Sequence, residues 1–261
     1  MGRKAVGGAK GGELYRAPAL EKGLDVLELL AAESEPLSLS AIVQRLGRST
    51  GELFRMIQVL ERRGMVAQGS DGYSLTTRLF ELGLGRPVVR NLVELSLPVM
   101  RELTGKIGQS CHLVIPSGSN MVVVARMESR EQIGFSVRVG HHRPLHLTAS
   151  GLMLYAFQSP DLQKKWEEGF DPKPSKADLA AFRQRAKEVH RDGYLQQLSN
   201  FAEGVTDLAA PVLRGDHAAA SLSVPFVKMK VAQMSIEDVG VHLREAASKL
   251  SAELVLNDAR I

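Results

Sequence analysis

Residues 36–64 read PLSLSAIVQRLGRSTGELFRMIQVLERRG, and two helices are written into them back to back. In the first half Pro36 opens the segment, Ser38 offers an N-cap oxygen, and Leu39, Ile42, Val43 and Leu46 recur at helical spacing. Gly47 ends the run, being the residue that most easily adopts the left-handed conformation of a helix stop. In the second half Ser49 and Glu52 have the spacing of a capping box, Leu53, Ile57 and Leu60 form an apolar face, and Gly64 closes it. Only Gly47 and Arg48 precede the capping Ser49, so the two helices must cross sharply, as in a helix-turn-helix. Upstream, ALEKGLDVLELLAAE (19–33) places Leu20, Leu24, Leu27 and Ala31 on one stripe of a further helix. Downstream, MVAQGSDGYSLTT (65–77) carries two β-prone runs around Gly69-Ser70-Asp71-Gly72, a hairpin signal. Three helices and a hairpin make a winged helix-turn-helix over 19–77, preceded at 1–18 by a flexible basic tail.

Helical spacing returns from Thr77 to Lys106, interrupted at Pro87 and Pro98, so 78–91 reads as a linker helix followed by a second one. The texture then changes. CHLVIP (111–116), MVVVARM (121–127) and GFSVRV (134–139) read as three successive antiparallel strands, and a helix begins near Thr148. Polar helical stretches cover 161–192; YLQQLSN (194–200), GVTDLAAPVLR (204–214) and HAAASLSVPFV (217–227) add strands, and a last helix runs from about Ser235 to Leu256. Residues 92–261 thus form an α+β domain.

A length of 261 residues favours two domains, and 44% hydrophobic with 24% charged residues is ordinary globular composition. No apolar stretch is long enough to span a membrane and MGRKAVGGAK has no secretory apolar core, so the expected location is cytoplasmic. The single cysteine, Cys111, excludes an internal disulfide and a cysteine zinc site. The net charge is +4, and residues 1–90 hold 13 Lys/Arg against 10 Asp/Glu while the rest hold 20 against 19. The basic excess therefore sits in the helix-turn-helix half, where it permits an anionic polymer as partner.

On the third helix, with Leu53, Ile57 and Leu60 inward, Arg55 and Gln58 fall outward with Thr50 and Phe54; Arg and Gln are the side chains that pair with guanine and adenine edges. Arg45, Arg48 and Arg62 suit phosphate contacts, Ser49 starts the helix, and Tyr73 of the wing is a candidate backbone contact. Enzyme readings find little. His141, His142 and His146 lack a zinc-binding order, no nucleophile elbow or phosphate loop is present, and Cys111 and His112, adjacent on a strand, face opposite sides. No metal, cofactor or catalytic residue is expected.

The order of parts resembles the IclR family of bacterial transcriptional regulators. The resemblance rests on ALEKGLDVLELLA, LSLSAIVQRLG, RMIQVLERRGMV, DGYSLTTRLFELG, RVGHHRPLHLTASG, RDGYLQQLSNFAEGVTDLAAPV and AAASLSVPFV. It implies a DNA-binding domain, a GAF-like effector-binding domain with an antiparallel sheet, dimers or dimers of dimers on (pseudo)palindromic double-stranded operator DNA, repression, and control by a small organic acid, aromatic acids included. Departures from the family pattern stand at Gly51-Glu52, Gly151-Leu152, Gln196-Gln197 and Thr206.

For the effector, the helix opening at Thr148-Ala149-Ser150 presents free N–H groups, and Ser221 and Ser223 point to one face of a strand. Spacing alone favours reading these as a cap and small core residues; the resemblance reverses that order and makes them a pocket. Thr206 and Asp207 belong to the same constellation, with Met127, Leu145, Leu147 and Leu208 as apolar walls beside Ala149, and Gln196 is a further candidate contact. No basic residue stands out among these positions, so a carboxylate is expected to rest on N–H and hydroxyl donors. A second function fits the sequence as well: a small-molecule-binding or enzymatic domain whose N-terminal helices serve only oligomerisation.

Overall fold

The computed structural model describes residues 17–84, 87–131, 134–229 and 234–258. The chain divides into two compact units, Met1–Arg86 and Pro87–Ile261. Apart from its last two residues, the tail assigned to 1–18 lies outside the described residues, as do positions 85 and 86 of the linker.

The first unit contains α1 (Pro18–Ala32), α2 (Leu39–Leu46), α3 (Thr50–Arg62), a hairpin of β1 (Val66–Gln68) and β2 (Tyr73–Leu75), and α4 (Arg78–Leu84). Ser38 caps α2 as its side chain predicts, accepting from the Ala41 N–H at 3.2 Å, and Gly47 ends it at φ 62°. The capping box at α3 does not form. Ser49 is the N-cap by backbone position only, and Glu52 reaches across to α1, where Lys22 Nζ donates to it at 2.9 Å. The Lys22 hydrogen bond and charge hold the Glu52 carboxyl below its usual range.

The core of this unit is Val26, Leu30, Leu37, Ile42, Leu53, Ile57, Val66 and Tyr73. Helix α1 exists where expected, but its buried face is Val26 and Leu30, while Leu20, at 63% exposure, Leu24 and Ala31 look outward. Two apolar stripes share this leucine-rich helix, and the one that meets α3 wins the core. Leu37 and Tyr73 exchange backbone hydrogen bonds of 3.0 and 2.8 Å, tying the entry of α2 to the wing. Gly72, at φ 135°, permits this approach: a Cβ there would stand 2.5 Å from the Leu37 carbonyl carbon.

The second unit opens with α5 (Pro87–Ile107), which continues through Pro98 rather than breaking there. Six antiparallel strands follow in the spatial order β5-β4-β3-β8-β7-β6. They are β3 (Cys111–Ser117), β4 (Asn120–Met127), β5 (His142–Pro144), β6 (Leu195–Leu198), β7 (Val205–Arg214) and β8 (His217–Val227). One face packs on α5 and α9 (Ile236–Asp258) through Met100, Leu103, Leu208, Leu222, Val224, Leu243 and Leu250. The other packs on α6 (Ala149–Ala156), α7 (Pro160–Glu168) and α8 (Lys176–Asp192) through Val114, Met153, Leu154, Phe170, Leu195 and Ala209.

The stretch 134–139 is not a strand, contrary to its β-prone texture. Its apolar residues Phe135 and Val137 turn into a cavity, and the short β5 takes the edge instead, with Arg143 opposite Met121. A single 3-10 turn, Leu145–Leu147, then leads into α6, whose N-cap Thr148 accepts from the Gly151 N–H at 3.0 Å. Among the described residues no helix is long and apolar enough to cross a membrane. The architecture is the expected α+β arrangement of a winged helix-turn-helix followed by an antiparallel-sheet domain.

Candidate DNA-contacting face and ligand cavity

Because Leu53 and Ile57 are fully buried, the opposite side of α3 is presented to solvent, with Thr50, Phe54, Arg55, Gln58 and Arg62 all exposed. Arg55 Nε donates to the Gly51 carbonyl one turn back at 3.2 Å, and Gln58 Nε2 donates to Glu61 at 3.1 Å. Both side chains lie along the helix and hold only exposed, exchangeable partners. Arg48 pairs with Asp25 at 2.8 Å and Arg45 pairs with Glu33. Exposed ion pairs of this kind contribute between zero and about 1 kcal/mol, so a phosphate can replace the carboxylate at little cost. Tyr73 does not belong to this face. At 4% exposure its ring is part of the domain core, because the short wing strand turns that residue inward beside Leu37. Ser49 is exposed at the helix start, without a side-chain cap bond.

In the second unit a cavity with about 60 Å³ of free space lies between the sheet and the start of α6, room for a few water-sized groups. Its floor is His112 of β3, Asp207 of β7 and Ser223 and Pro225 of β8; its roof is Leu147, Thr148, Ala149 and Ser150. Met121, Phe135 and Val137 form walls, and His141, Arg143 and Phe201 complete the lining. Ser150 Oγ and Ser223 Oγ are 2.9 Å apart and Ser223 Oγ and Ser221 Oγ 3.1 Å, a chain of three buried hydroxyls. Three O–H protons serve these two bonds, leaving one to donate elsewhere. The roof is a helix N-terminus, where N–H groups and partial positive charge favour an anion.

Arg143 stacks its guanidinium over the Phe201 ring, 5.1 Å from the centroid, and the His141 ring lies 5.8 Å from the same ring. The expectation that no basic residue attends the site is thereby corrected: Arg143 is a cation within the lining. It was missed because its strand is three residues long and its place is fixed by pairing with Met121. Burial raises the Asp207 carboxyl above its usual range, partly offset by a Ser199 hydrogen bond. Burial, with His141 adding to it, pushes the His112 imidazole down to about 4, so the ring is neutral at neutral pH.

Of the effector positions named from sequence, Leu147, Ala149, Ser150, Asp207 and Ser223 meet at the cavity, and Ser221 sits behind it as a relay. The others do not. Thr206 precedes Asp207 on β7 and therefore faces the opposite side of the sheet, with Leu208. Met127 packs in that same α5 and α9 layer, Leu145 is fully buried under α6, and exposed Gln196 accepts from the Tyr194 hydroxyl at 3.2 Å. His112, missed as a site residue, had one signal: a single polar residue between Cys111 and Leu113 whose face of β3 continues with Val114.

A larger open groove of about 740 Å³ runs over α6, α7 and α8. Its inner polar groups are spent on one another: Tyr155 donates to Glu167 at 2.6 Å and Arg183 Nε to the same carboxylate at 2.7 Å. Cys111 is buried against Thr104 at 3.2 Å, and burial raises its thiol to about 11, so it stays protonated. Among the described residues no group of three or more His, Cys, Asp or Glu is placed to hold a metal ion.

Comparison with known proteins bears on both sites. Residues 19–70 match the IclR helix-turn-helix domain, and residues 88–252 match the family described as bacterial transcriptional regulator IclR C-terminal. The HTH-type transcriptional regulator KdgR of Escherichia coli K12 is 28% identical over 244 residues, covering 91% of this chain and 92% of that one. The HTH-type transcriptional repressor AllR of Klebsiella pneumoniae is 24% identical over 248 residues, covering 92% and 91%. Among solved structures, an IclR homologue from Microbacterium hydrocarbonoxydans complexed with 4-hydroxybenzoate superposes with a TM-score of 0.74 at 25% identity, covering 90% of this chain and 98% of that one. The chain therefore belongs to the IclR family of bacterial transcriptional regulators, with a helix-turn-helix DNA-binding domain and a C-terminal ligand-binding domain.

Proposed function

We propose that this chain is a repressor whose operator affinity is set by a small organic acid, aromatic acids included, seated between the sheet and α6. Residues 19–77 act as the DNA-binding module, 78–91 as the linker and 92–261 as the effector domain. The observation that carries the reading is the solvent-facing side of α3, where Arg55 and Gln58 are exposed opposite the buried Leu53 and Ile57. In the major groove Arg55 and Gln58 read base edges while Arg45, Arg48 and Arg62 contact phosphates. Arg55→Ala is expected to cost about 1 to 3 kcal/mol per half-site on the operator alone; Arg62→Ala weakens every sequence alike and lowers the salt slope by about one unit. Anisotropy titrations on operator and scrambled duplexes test this. Equal loss on both duplexes for both variants would remove Arg55 from base reading.

The acid's carboxylate rests on the N-terminus of α6 and the Ser150 and Ser223 hydroxyls, with Arg143 as a further cation. The acid complexed with the Microbacterium homologue supports this chemistry. Replacing Ser150 and Ser223 together by alanine removes both ends of one hydrogen bond but leaves the buried Ser221 hydroxyl without its Ser223 partner, which costs about 1 to 3 kcal/mol of stability. Charge-assisted bonds are worth about 1.5 to 3 kcal/mol each, so calorimetry is expected to show at least tenfold weaker acid binding in the double variant. Unchanged affinity would move the ligand elsewhere.

A dimer, alone or paired into a tetramer, brings two α3 helices onto the half-sites of a palindrome. Leu20 and Leu24 on α1 and Leu82 on α4 are apolar and exposed in the single chain, which is surface suited to a second copy. Light scattering at micromolar concentration is expected to give at least twice the 28.4 kDa chain mass; a monomer would overturn this part.

A further inference from the structure

A seam of opposite charges joins α1 to the helix-turn-helix. Lys22, Asp25, Leu29 and Glu33 follow one another at i, i+3, i+7 and i+11, which sets them along a single line of α1 and its C-cap. Facing that line stand Glu52 of α3, Arg48 of the turn and Arg45 of α2. Each charge meets its opposite: Lys22 Nζ donates to Glu52 at 2.9 Å, Arg48 donates to Asp25 Oδ2 at 2.8 Å, and Arg45 is paired with Glu33. The attachment of α1 does not depend on the two arginine pairs. Val26 and Leu30 are buried in one cluster with Leu53 and Ile57, whereas the side chains of the two arginine pairs are 32% to 44% exposed. Pairs so exposed add little to stability.

What these pairs change is the charge that DNA meets. Arg45 and Arg48 are the cations assigned to phosphate, and a carboxylate offers a guanidinium the same kind of paired oxygens that a phosphate does. A guanidinium that arrives with its own carboxylate brings no net charge to the backbone, so it releases no counterion. Once displaced, the carboxylate remains on α1, well within a screening length of the phosphate that replaced it, and repels it. Non-specific binding is almost entirely this backbone attraction, so the carboxylates act on DNA of every sequence. A weaker backbone attraction also leaves the total affinity in a range that a ligand coupling of about 5- to 150-fold can switch.

We propose that Asp25 and Glu33 are intramolecular stand-ins for DNA phosphate, which hold Arg48 and Arg45 in the unbound protein and lower its affinity for DNA of any sequence. This rests on the reading of Arg45 and Arg48 as phosphate contacts. The test is fluorescence anisotropy of the full chain on a mixed-sequence duplex over a series of salt concentrations. The double variant Asp25→Asn/Glu33→Gln is expected to bind about tenfold more tightly at physiological salt, with a slope of log affinity against log salt steeper by about 0.9 for each carboxylate removed. The same factor is expected on the operator, so sequence preference stays as it was. Glu28→Gln removes one negative charge from an exposed position of α1 outside the seam and should change affinity by less than about twofold. In the background Arg45→Gln/Arg48→Gln the carboxylate substitutions should do nothing, because the cations they free are gone.

Unchanged slope and affinity in Asp25→Asn/Glu33→Gln, or weaker binding by it, overturns the inference while leaving the phosphate contacts standing. So does an equal gain in Glu28→Gln or in the background without the two arginines. If Arg45→Gln/Arg48→Gln binds the duplex as the wild type does, the phosphate reading of these arginines falls and this inference with it. Should the double carboxylate variant not fold, Asp25→Asn and Glu33→Gln taken singly decide. Each is expected to steepen the salt slope by about 0.9, and no steepening in either overturns the assignment.

Discussion

Leu53→Ala is expected to unfold the N-terminal unit and abolish operator binding while acid binding in the C-terminal unit persists. Leu53 is fully buried at the centre of a core of eight residues, flanked by Val26, Ile42 and Ile57. Truncating a buried leucine costs about 2 to 5 kcal/mol, from lost transfer energy and the cavity left behind. A core this small supplies net stability of only about 3 to 5 kcal/mol, so one truncation consumes most of it. The neighbouring Phe54 is 43% exposed, and Phe54→Ala is expected to change stability by less than about 1 kcal/mol. Calorimetric scans of the two variants check this. Leu53→Ala should remove the transition of the first unit and leave that of the second in place, whereas loss of both would mean that the units do not fold separately.

Gly151→Ala is expected to close the ligand cavity. A Cβ at position 151 would fall on the carbonyl oxygen of Leu145 and within 2.6 Å of both Leu145 Cα and Thr148 Oγ1. These are largely backbone atoms at a tight turn, so they cannot swing aside. Overpacking of this kind costs about 1 to 3 kcal/mol, with the upper end expected where backbone must move. The movement pushes the α6 N-terminus, with Ala149 and Ser150, off the Ser223 hydroxyl, and acid affinity should fall below detection. Gly105, inside α5, supplies the control: a Cβ there meets nothing within 4 Å, so Gly105→Ala should be neutral or stabilising by up to about 1 kcal/mol. Thermal melts and acid titrations of both variants test the contrast, and wild-type acid binding by Gly151→Ala would contradict the placement of the roof.

The parts legible in the sequence are those whose cause is local. The Ser38 cap, the Gly47 stop and the turn at 69–72 are each written within four residues, and the structure has all three. What the sequence left open is rotational phase and parity. Helix α1 holds leucines on two stripes, and only contact with α3 decides that Val26 and Leu30 go inside. On β7, Thr206 and Asp207 were both assigned to the effector, yet neighbours on a strand cannot share a face, and Leu208 in the α5 and α9 core fixes Asp207 toward the cavity. The same parity turns Tyr73 into the core of its domain. His112, Arg143 and Phe201 come together only when β3, β5 and the loop after β6 assemble, a juxtaposition without any local signature. The Ser221 and Ser223 alternation was read correctly as one face, although only Ser223 reaches the cavity lining.

Footprinting of the full chain on the DNA upstream of its own and neighbouring genes, with and without an acid that binds it, tests the central claim most directly. The account predicts a protected palindromic segment whose half-sites lie about one helical turn, or a multiple of it, apart. Protection should weaken steeply with salt, fail in Arg55→Ala, and shift about 5- to 150-fold in affinity when the acid is added. Absence of any protected segment at low salt, or protection that neither salt nor Arg55→Ala alters, would contradict it.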